Sequence, residues 1–496
     1  MSQGLHYYAS EVKAPHGYVP AESRIASSLY ERRLEKQGDG MSGIFGIIGK
    51  GNAFAEVRTG LENLSHRGQE SWGIVSGLRD GSFSEVRRLG SVFQSPPLNR
   101  FYFGSVAIGH VRYPTAGETS ERNSQPIVGR FRKDKIAVVH NGHIPKYKQL
   151  MEEMGGLFQT ETDTEVILHM IARSQGSDFL DKVKKTLSLL GRQAAFSVII
   201  LHKGSLIAAR DPFGFRPLSV ARRGEEGDYA WAVASETCAF HGKFDCMGDV
   251  EPGEMVVIDG EEARTIPFAS PDPHPCSVEC LDYASVASQV FSKNNYKFRE
   301  ELGVALAKLE DQKADIIVPI PRAAIPAALG FHDATGIPYK EAISTVGEIG
   351  RIFIVSKEKE RLEKIEKKFQ INREVVKDKE VLLIDTLLVR GSTTMALIPK
   401  LREAGARKIH LRLTAPPPRF PCYMGMAMAK TGELLAINRT DEQLTKLIGA
   451  DTFRYLKVEE LRESAGVHFC DACFTGEYPF LNQIQIPHPG SRSLLD

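Results

Sequence analysis

The sequence predicts two successive domains, the first a layered α+β domain and the second an α/β domain built on a parallel sheet. At 496 residues the chain is too long for one hydrophobic core, so length alone favours more than one domain. Up to about Pro271, short apolar runs with helical periodicity between them indicate many strands joined by helices. From Tyr283 onward, continuous apolar runs bounded by polar turns are typical of strands buried on both faces of a sheet.

The first domain is expected to start abruptly with a buried strand at 44–48, after a polar leader. Helical spacing covers 163–173, and Thr162 just before it offers an N-cap. Short β-branched runs predict four further strands. These lie at 106–111, 136–139, 195–201 and 230–234.

In the second domain we predict strands at 316–320 and 381–384, and a charged, solvated helical insertion at 357–368. Changes in the pattern of apolar and polar residues along the chain predict four segments. They are a leader-like segment 1–41, a first domain 42–271, a second domain 272–465 and a C-terminal tail 466–496.

Composition excludes several functions. Lys and Arg number 63 and Asp and Glu 62, so no global field attracts nucleic acid or an anionic membrane surface. No stretch approaches the roughly 20 apolar residues that a spanning helix needs. The leader has no continuous apolar segment and is not a secretory signal, so we expect a cytoplasmic protein.

Six short motifs follow one another in the first domain, and together they are far more specific than any one of them alone. They are 42–47 (SGIFGI), 66–71 (HRGQES), 109–113 (GHVRY), 140–142 (HNG), 162–165 (TDTE) and 210–214 (RDPFG). In this order they resemble the motifs of N-terminal-nucleophile glutaminases. The resemblance implies an αββα fold, in which two central sheets lie between layers of helices.

The same resemblance assigns roles in a glutamine-amide site. Ser42 takes the position of the nucleophile, whose own free α-amine serves as the base. Arg112 would hold the substrate α-carboxylate by a bidentate pair, and Asp163 would pair with the α-ammonium. Asn141 and the backbone N–H of Gly142 would donate to the oxyanion.

The nucleophile departs from the family pattern, which has cysteine where this chain has Ser42. A thiol forms some thiolate at neutral pH, whereas a serine hydroxyl depends entirely on its base. Met41 precedes Ser42, so the amine is free only if the bond between them is cut. Two alternatives therefore stay open, an active serine glutaminase and a site in which Arg112 and Asp163 persist only as a buried ion pair. Pro114 replaces the usual serine and is a lesser departure.

In the second domain, 381–394 resembles the PRPP-binding signature of type I phosphoribosyltransferases, where PRPP is phosphoribosylpyrophosphate. A strand there runs into a loop at a helix N-terminus, a geometry that binds phosphate through backbone N–H groups and hydroxyls. The residues that this resemblance assigns to PRPP or a nucleotide are Asp385, Arg390, Gly391, Ser392, Thr393 and Thr394.

The transferase motifs are altered at three places. Asp385 is followed by Thr386 and Leu387, where the family has a second acid and a serine. Pro321-Arg322-Ala323 stands where the pyrophosphate loop has Pro-Asp-Ser, and Glu348 lies in the segment of the cationic lid. These changes disfavour ordinary PRPP transfer. Losing the second acid also weakens the expectation of Mg²⁺.

Seven cysteines in a chain of this size do not suggest a disulfide scaffold. Cys276, Cys422, Cys470 and Cys473 correspond to the cluster ligands of the leader-bearing bacterial amidotransferases, and 470–479 is nearly the family's own sequence. Four thiolates suit zinc or an iron–sulfur cluster by count, and the resemblance selects [4Fe–4S]. Cys280 could compete as a ligand, while Cys238 and Cys246 are expected to be small buried hydrophobes.

Taken along the whole chain, the resemblance is to the glutamine PRPP amidotransferases. Their activity is transfer of glutamine-derived ammonia to PRPP, the first step of purine synthesis, and they assemble as dimers or tetramers. For this chain we expect glutamine binding, self-association and one of two functions. The first is an enzyme with impaired or altered activity, and the alternative is an iron–sulfur pseudoenzyme that binds glutamine or a nucleotide or partners a true amidotransferase.

Overall fold

The computed structural model describes residues 41–78, 81–94, 104–113, 119–224, 229–346, 368–426, 431–466 and 468–479. The predicted leader up to residue 40, Pro114, Glu348 and the charged insertion up to residue 367 lie outside these residues. In the described ranges, two large antiparallel sheets are followed by a smaller parallel sheet. The order of sheet types is that predicted from the sequence.

The first sheet has seven strands among the described residues, in the order β11-β9-β10-β1-β4-β2-β3. Its central strand β1 is buried at every position, as its run of apolar and small residues predicts. The strands of this sheet are β1 (Ser42–Gly49), β2 (Ser71–Gly77), β3 (Phe83–Leu89), β4 (Val106–Arg112), β9 (Ser219–Arg223), β10 (Ala230–Ala234) and β11 (Asp245–Asp249).

The second sheet has six strands in the part of the chain that the structure describes, in the order β13-β12-β8-β7-β6-β5. Every pair of neighbouring strands in this sheet is antiparallel. Its strands are β5 (Ile127–Phe131), β6 (Asp134–His143), β7 (Ala195–His202), β8 (Ser205–Arg210), β12 (Glu254–Asp259) and β13 (Glu262–Pro267).

The two sheets pack face to face, with helices on their outer faces. Buried side chains such as Ile108 from the first sheet and Ile199 from the second form one core between the sheets. Helix α1 (Ala53–Asn63) covers the outer face of the first sheet. Three helices share a buried core with the second: α2 (Tyr147–Met154), α3 (Asp163–Arg173) and α4 (Phe179–Leu190). This arrangement confirms the predicted αββα domain.

Helix α3 has the predicted bounds, but its N-cap differs from the prediction. Thr162 occupies the cap position, yet its side chain makes no capping hydrogen bond. Its hydroxyl pairs instead with that of Thr160 at 2.9 Å. Asp163 and Glu165 in the first turn of the helix place negative charge near its N-terminus, which stabilises the helix dipole.

The second domain is built on a parallel sheet in the order β16-β19-β20-β21. The adjacent residues Leu382 and Leu383 on β19 pack into two different hydrophobic cores. The strand is therefore buried on both faces, as predicted. No helix in the described part of the chain is long and apolar enough to span a membrane. The strands are β16 (Ile316–Pro319), β19 (Glu380–Asp385), β20 (Lys408–Leu413) and β21 (Thr452–Tyr455).

The remaining elements surround this sheet or connect it to the first domain, except for three single turns that lie within the first domain. Its larger helices are α5 (Asn295–Ala307), α6 (Ile325–Thr335), α8 (Ser392–Glu403), α9 (Asp441–Ile448) and α10 (Val458–Ala465). The shorter elements are β14 (Gln289–Val290), β15 (Lys293–Asn294), β17 (Ile343–Thr345), β18 (Phe369–Ile371), α7 (Arg373–Val376) and α11 (Ala472–Thr475). The single turns are Ser65–Arg67, Val92–Gln94, Thr237–Phe240 and Thr431–Glu433, with a π-helical turn at Glu279–Tyr283.

One hydrophobic core crosses from the first domain to the second and to the tail. It contains Met41 and Tyr113 from the first domain, Leu281 from the connecting turn and Phe469 from the tail. Because these residues share one core, the end of the first domain's sheets faces the second domain directly. The predicted catalytic residues of the first domain lie at this end.

Candidate functional site

Strand pairing places the predicted nucleophile beside the arginine predicted to bind the substrate carboxylate. Ser42 is the first residue of β1, and Arg112 lies opposite it at the end of β4. Directly opposed residues of an antiparallel pair have Cβ atoms about 4.5–5.5 Å apart. Both residues are buried. The register of the first sheet therefore fixes the spacing between nucleophile and carboxylate site.

The predicted oxyanion donors lie on β6 of the second sheet. The side-chain nitrogen of Asn141 is buried and has no hydrogen-bond partner among the described residues. Gly142 has φ +156°, and a Cβ there would lie 2.0 Å from the carbonyl oxygen of Ala195, so only glycine fits. A buried N–H without a partner is costly. An oxygen of a bound substrate is the partner that would satisfy it.

Asp163, at the first position of α3, is held in place by the residues after the oxyanion strand. The backbone N–H of Ile144 donates to its Oδ2 at 3.0 Å. Burial alone would raise the pKa of Asp163, but the imidazoles of His140 and His143 hold that pKa well below its ordinary value. Burial lowers the pKa of Arg112, and the charge of Asp163 opposes that shift. The two substrate-binding side chains are thus electrostatic neighbours.

His143 belongs to this site and was missed in the sequence analysis. Its Nδ1 lies 3.5 Å from Oδ2 of Asp163, and the residue is buried. An imidazole in this position competes with a substrate ammonium for the Asp163 carboxylate. The signal was available in the spacing, because residues two apart on a strand share a face, as Asn141 and His143 do.

Met41 is part of the packed interior, directly before Ser42. It is 1% exposed and lies in the core that joins the two domains. Its carbonyl oxygen accepts a hydrogen bond from the N–H of Tyr113 at 3.1 Å, which extends the β1–β4 pairing by one residue. Arg216 approaches its sulfur at 3.8 Å. In the uncleaved chain the nitrogen of Ser42 is therefore a peptide nitrogen.

A buried ionic network lies under the nucleophile strand, and sequence reasoning assigned it no role. Arg67 donates from Nε to the carbonyl oxygen of Ser42 at 2.8 Å and forms ion pairs with Glu236 and Glu279. Arg216 also pairs with Glu279, at 3.4 Å. The four charged side chains are almost completely buried. Burial opposes ionisation of Glu236, but His66 and Arg67 lower its pKa well below the ordinary value.

In the second domain, the retained acid lies where the sequence predicts it, at the end of β19. The N–H of Thr386 donates to Oδ1 of Asp385 at 2.8 Å, and the Thr386 hydroxyl donates to Asp282 at 2.7 Å. Burial, and to a smaller extent the charge of Asp282, raise the pKa of Asp385 to about 7. Asp282 was not predicted, because it comes from the connecting turn.

The predicted phosphate loop leads into α8. Gly391 is the N-cap and has φ +72°, and a Cβ there would lie 2.6 Å from Leu435. The Nε of Arg390 donates to Glu433 at 2.6 Å. Ser392 and Thr393 are half-buried, and Thr394 is buried. In the altered pyrophosphate loop, Arg322 is exposed to solvent.

The four predicted cluster cysteines come together between the domains and the tail. Cys276 and Cys470 form an isolated parallel bridge, and Cys470 donates its N–H to the carbonyl of Pro275 at 2.8 Å. Burial raises the pKa of Cys276 to about 11, and burial together with the other cysteines raises the pKa values of Cys470 and Cys473 far more. Cys422 is among the charges that produce these shifts.

Arg216, also missed from the sequence, joins this cysteine group to the ionic network. Although burial opposes its charge, Cys276, Glu279 and Cys422 raise its pKa. Its Nη2 donates to the carbonyl of Met424, in the loop that carries Cys422. A buried cation therefore lies near Cys276 and Cys422 and also pairs with Glu279 of the ionic network.

The remaining cysteines differ in part from their predictions. Cys246 is exposed, so the prediction that it is buried was wrong; it lies on edge strand β11 beside a register shift. Cys238 is half-buried and, with His66 and Glu236, forms the one group of potential metal ligands within 4.8 Å found in the described ranges. Glu236 already pairs there with Arg67, which disfavours a cation. Cys280 is buried, with Glu279 and Arg299 as its charged neighbours.

Comparison with known proteins agrees with this architecture. The family model described as a glutamine amidotransferase domain matches residues 110–242. The amidophosphoribosyltransferase of Bacillus subtilis is 36% identical over 458 residues, covering 88% of this chain and 94% of the relative. That of Methanothermobacter thermautotrophicus is 36% identical over 457 residues, covering 89% and 94%.

Two solved structures are similar over the same extent. One is glutamine PRPP amidotransferase from B. subtilis, complexed with ADP and GMP, with a TM-score of 0.80, 35% identity and coverage of 88% of this chain and 97% of that one. The other is described as the allosteric regulatory enzyme of purine biosynthesis, with a TM-score of 0.81, 35% identity and coverage of 88% and 96%.

The fold and the first-domain site define a glutamine amidotransferase of the N-terminal-nucleophile type, joined to a phosphoribosyltransferase domain. Its identity to the curated relatives extends across both domains and covers nearly all of their length. The chain belongs to the amidophosphoribosyltransferase family.

Proposed function

We propose that this chain is an amidophosphoribosyltransferase-type protein that binds glutamine but carries out the family's chemistry in impaired or altered form. One observation carries the proposal. The glutamine-recognition residues are assembled and buried, while the nucleophile position holds a serine, Ser42, whose nitrogen is bonded in the uncleaved chain to the buried residue Met41. Within this single site, the residues that bind glutamine are therefore kept while the residue that reacts with it is altered.

The recognition half of the site fits an amino-acid substrate. Arg112 offers a guanidinium for the α-carboxylate, a pairing strengthened by two parallel hydrogen bonds. Asp163, whose pKa is lowered by its neighbours, offers a negative charge for the α-ammonium. The unpartnered amide of Asn141 and the N–H of Gly142 would bind the amide oxygen of the side chain. These contacts fit an amino acid that carries a side-chain amide, as glutamine does.

The catalytic half lacks the usual base. Hydrolysis of the glutamine amide requires the Ser42 hydroxyl to add to the amide carbon and to give up its proton, before ammonia leaves. In this class of hydrolase the proton goes to the free amine of the nucleophile itself. A peptide nitrogen is not basic, so the Met41–Ser42 bond removes that route. Serine, unlike cysteine, supplies no thiolate to compensate.

In the second domain we propose binding of PRPP or a nucleotide at the phosphate loop, with altered transfer. Support comes from Gly391 at the N-cap of α8 and from the hydroxyls that follow it. The B. subtilis relative was solved with ADP and GMP, which makes a nucleotide a reasonable occupant. The exposed Arg322 and the single acid Asp385 argue against ordinary amination of PRPP, the family's step in purine synthesis.

We further propose a [4Fe–4S] cluster on Cys276, Cys422, Cys470 and Cys473. Among the described residues, no three of these sulfurs lie within 4.8 Å of one another. Four thiolates at about 2.3 Å from one zinc ion would lie roughly 3.8 Å apart, so the spacing favours a larger group. The buried guanidinium of Arg216 would offset the negative charge of four thiolates. Such a cluster holds the tail against both domains, and its role there is structural.

A second candidate function is a pseudoenzyme, which senses glutamine or a nucleotide or partners a true amidotransferase. The observation that favours it is the packing of Met41, whose removal would leave a cavity in the shared core and cost about 2–5 kcal/mol. Family members self-associate, and we propose a homo-oligomer for this chain in either case.

A glutaminase assay on cluster-loaded protein, with and without PRPP and Mg²⁺, tests the proposal. The N-terminus of the same protein is determined by intact-mass spectrometry. We expect Met41 to be retained and ammonia release to stay at background. A chain that starts at Ser42 and releases ammonia at a rate comparable to a working amidotransferase would overturn the proposal of impaired activity.

A further inference from the structure

A serine with no role assigned so far lies on the strand next to Arg112. Ser71 is the first residue of β2, and in the pairing of β2 with β4 it lies directly opposite Arg112. Ser42 lies opposite Arg112 on the other side of β4. Arg112 is therefore flanked by two serines, one on each neighbouring strand.

These three side chains lie on the same face of the first sheet, the one that faces the second sheet. Directly opposed residues of an antiparallel pair share a face, and so do residues two or four apart on one strand. Apolar residues two or four positions away along each of the three strands belong to the core between the sheets; they are Ile44, Val75 and Ile108. Ser71 therefore faces the same space as Ser42 and Arg112.

The hydroxyl of Ser71 is buried without a partner. The residue is 0% exposed, and its Oγ forms no hydrogen bond within the ranges that the structure describes. A serine hydroxyl can donate one hydrogen bond and accept two, and leaving it unpaired in the interior costs free energy. Because buried polar groups in folded proteins nearly always have a partner, this hydroxyl is suited to a bound ligand.

The neighbouring Arg112 decides which ligand group suits the Ser71 hydroxyl. A guanidinium and a hydroxyl donor side by side match an anion with more than one acceptor oxygen, such as a carboxylate. A carboxylate has about four lone-pair sites, so one that is held by two hydrogen bonds from Arg112 can still accept a further bond. The Ser71 hydroxyl lies on the side of Arg112 that is away from the nucleophile.

The distance between the two serines agrees with one extended substrate. Neighbouring strands are about 4.8 Å apart, so Ser42 and Ser71, on either side of β4, are separated by roughly 9–10 Å. In an extended glutamine the side-chain amide carbon and the carboxylate carbon are about 5 Å apart. Contacts of about 3 Å at each end extend this span to about the same distance. Ser71 is thus too far from Ser42 to take part in the reaction, but it can reach the carboxylate end.

We propose that the Ser71 hydroxyl donates a hydrogen bond to the α-carboxylate of glutamine, beside the guanidinium of Arg112. This inference rests on the proposed function, because it requires the first domain to bind glutamine, and it adds a binding residue on a third strand. In the ligand-free protein the hydroxyl is unpaired, so its hydrogen bond forms only when the ligand is present. Removing the hydroxyl should therefore weaken binding without destabilising the free protein.

The test combines titration calorimetry with L-glutamine and thermal melts of the ligand-free, full-length protein. Ser71→Ala is expected to weaken glutamine binding about tenfold or more, because hydrogen bonds to charged groups are the stronger class, and to leave the melting temperature unchanged or slightly raised. Ser219→Ala is the matched control, since Ser219 is an equally buried serine of the same sheet whose hydroxyl donates to Asp249 at 2.6 Å. It should lower the melting temperature and leave glutamine affinity unchanged.

The outcomes separate this inference from the proposed function. A Ser71→Ala variant that binds glutamine as tightly as wild type overturns the inference alone. A Ser71→Ala variant whose melting temperature falls as much as that of Ser219→Ala also overturns it, because the hydroxyl would then have a partner in the free protein. Wild-type protein that gives no heat with glutamine overturns the proposed function, and the inference with it.

Discussion

The two ligand sites of this protein have changed in different ways. In the glutamine site every residue predicted to bind glutamine is present, and the departures from the family pattern are Ser42 and, less important, Pro114. In the transferase site the phosphate loop persists, while the acid at 386 and the pyrophosphate loop at Arg322 have been replaced. The difference indicates that the residues that bind a substrate and the residues that react with it can change separately in one chain.

The physical reason lies in how each site is built. Ser42, Arg112 and Asn141 stand on strands whose register is fixed by two packed sheets, so their spacing follows from the core itself. Asp385 also ends a strand, but Arg322 and Thr386 belong to loops. Loops tolerate substitution better than strands because few core contacts depend on them.

The largest effect is expected from the cysteine group, which both domains share. Cys473→Ser should reduce iron from about four per chain to near zero and lower the melting temperature by roughly 10 °C or more, because cluster bonds contribute to folding. Anaerobic purification, iron analysis and a thermal melt measure this. Cys246→Ser, at an exposed cysteine, is the matched control. Colourless zinc-containing protein, or unchanged iron in Cys473→Ser, would contradict the cluster.

The next effect concerns the ionic network under Ser42. Arg67→Met leaves Glu236 and Glu279 buried with fewer partners, which should cost about 3–5 kcal/mol of unfolding free energy. Urea denaturation measures the loss. Arg58→Met, which breaks a partly exposed pair with Glu62, should cost no more than about 0.5 kcal/mol. Equal losses in the two variants would show that the network does not support the nucleophile strand.

A pH-dependent effect comes from Asp211, which supports the strand opposite the oxyanion donors. It accepts a hydrogen bond from the N–H of Phe196, the residue paired with Gly142. Burial raises the pKa of Asp211 to about 6. The folded state therefore binds this proton more tightly, so the stability it contributes at pH 4 is lost as the pH rises through 6.

The measurement is the difference in unfolding free energy between wild type and Asp211→Asn. That difference should fall by about 2.4 kcal/mol, relative to its value at pH 4, when the pH reaches 7. A difference that stays constant across this range would show that the Asp211 carboxyl is ionised at both pH values.

The smallest effect is expected from restoring the nucleophile alone. Ser42→Cys should produce no measurable phosphoribosylamine, because the transferase site is still altered at Arg322, Ala323 and Thr386. Coupled assay of product formation measures this, and glutamine binding by the same variant shows that it is folded. Appreciable amidotransfer by this single variant would show that the second domain is competent after all.

The sequence predicted the fold and most of the candidate site, because its motifs lie on strands and at helix starts. The resemblance of the motifs to those of a known family grouped Ser42, Arg112 and Asn141, and the strand register places Ser42 opposite Arg112. Glu236, Arg216 and Asp282 could not be predicted, since each acts on partners far away in the chain. Cys246 was predicted to be buried because cysteine usually is, and edge strand β11 leaves it exposed instead.

Titration calorimetry with glutamine tests the central claim most directly, namely that recognition persists where catalysis is altered. Wild-type protein should bind glutamine with measurable heat and without ammonia release, and Arg112→Lys should abolish or greatly weaken binding, because lysine cannot form the bidentate pair. Arg58→Lys, away from the site, is the matched control. No heat with wild-type protein, under conditions where Ser42→Cys also gives none, would contradict the account.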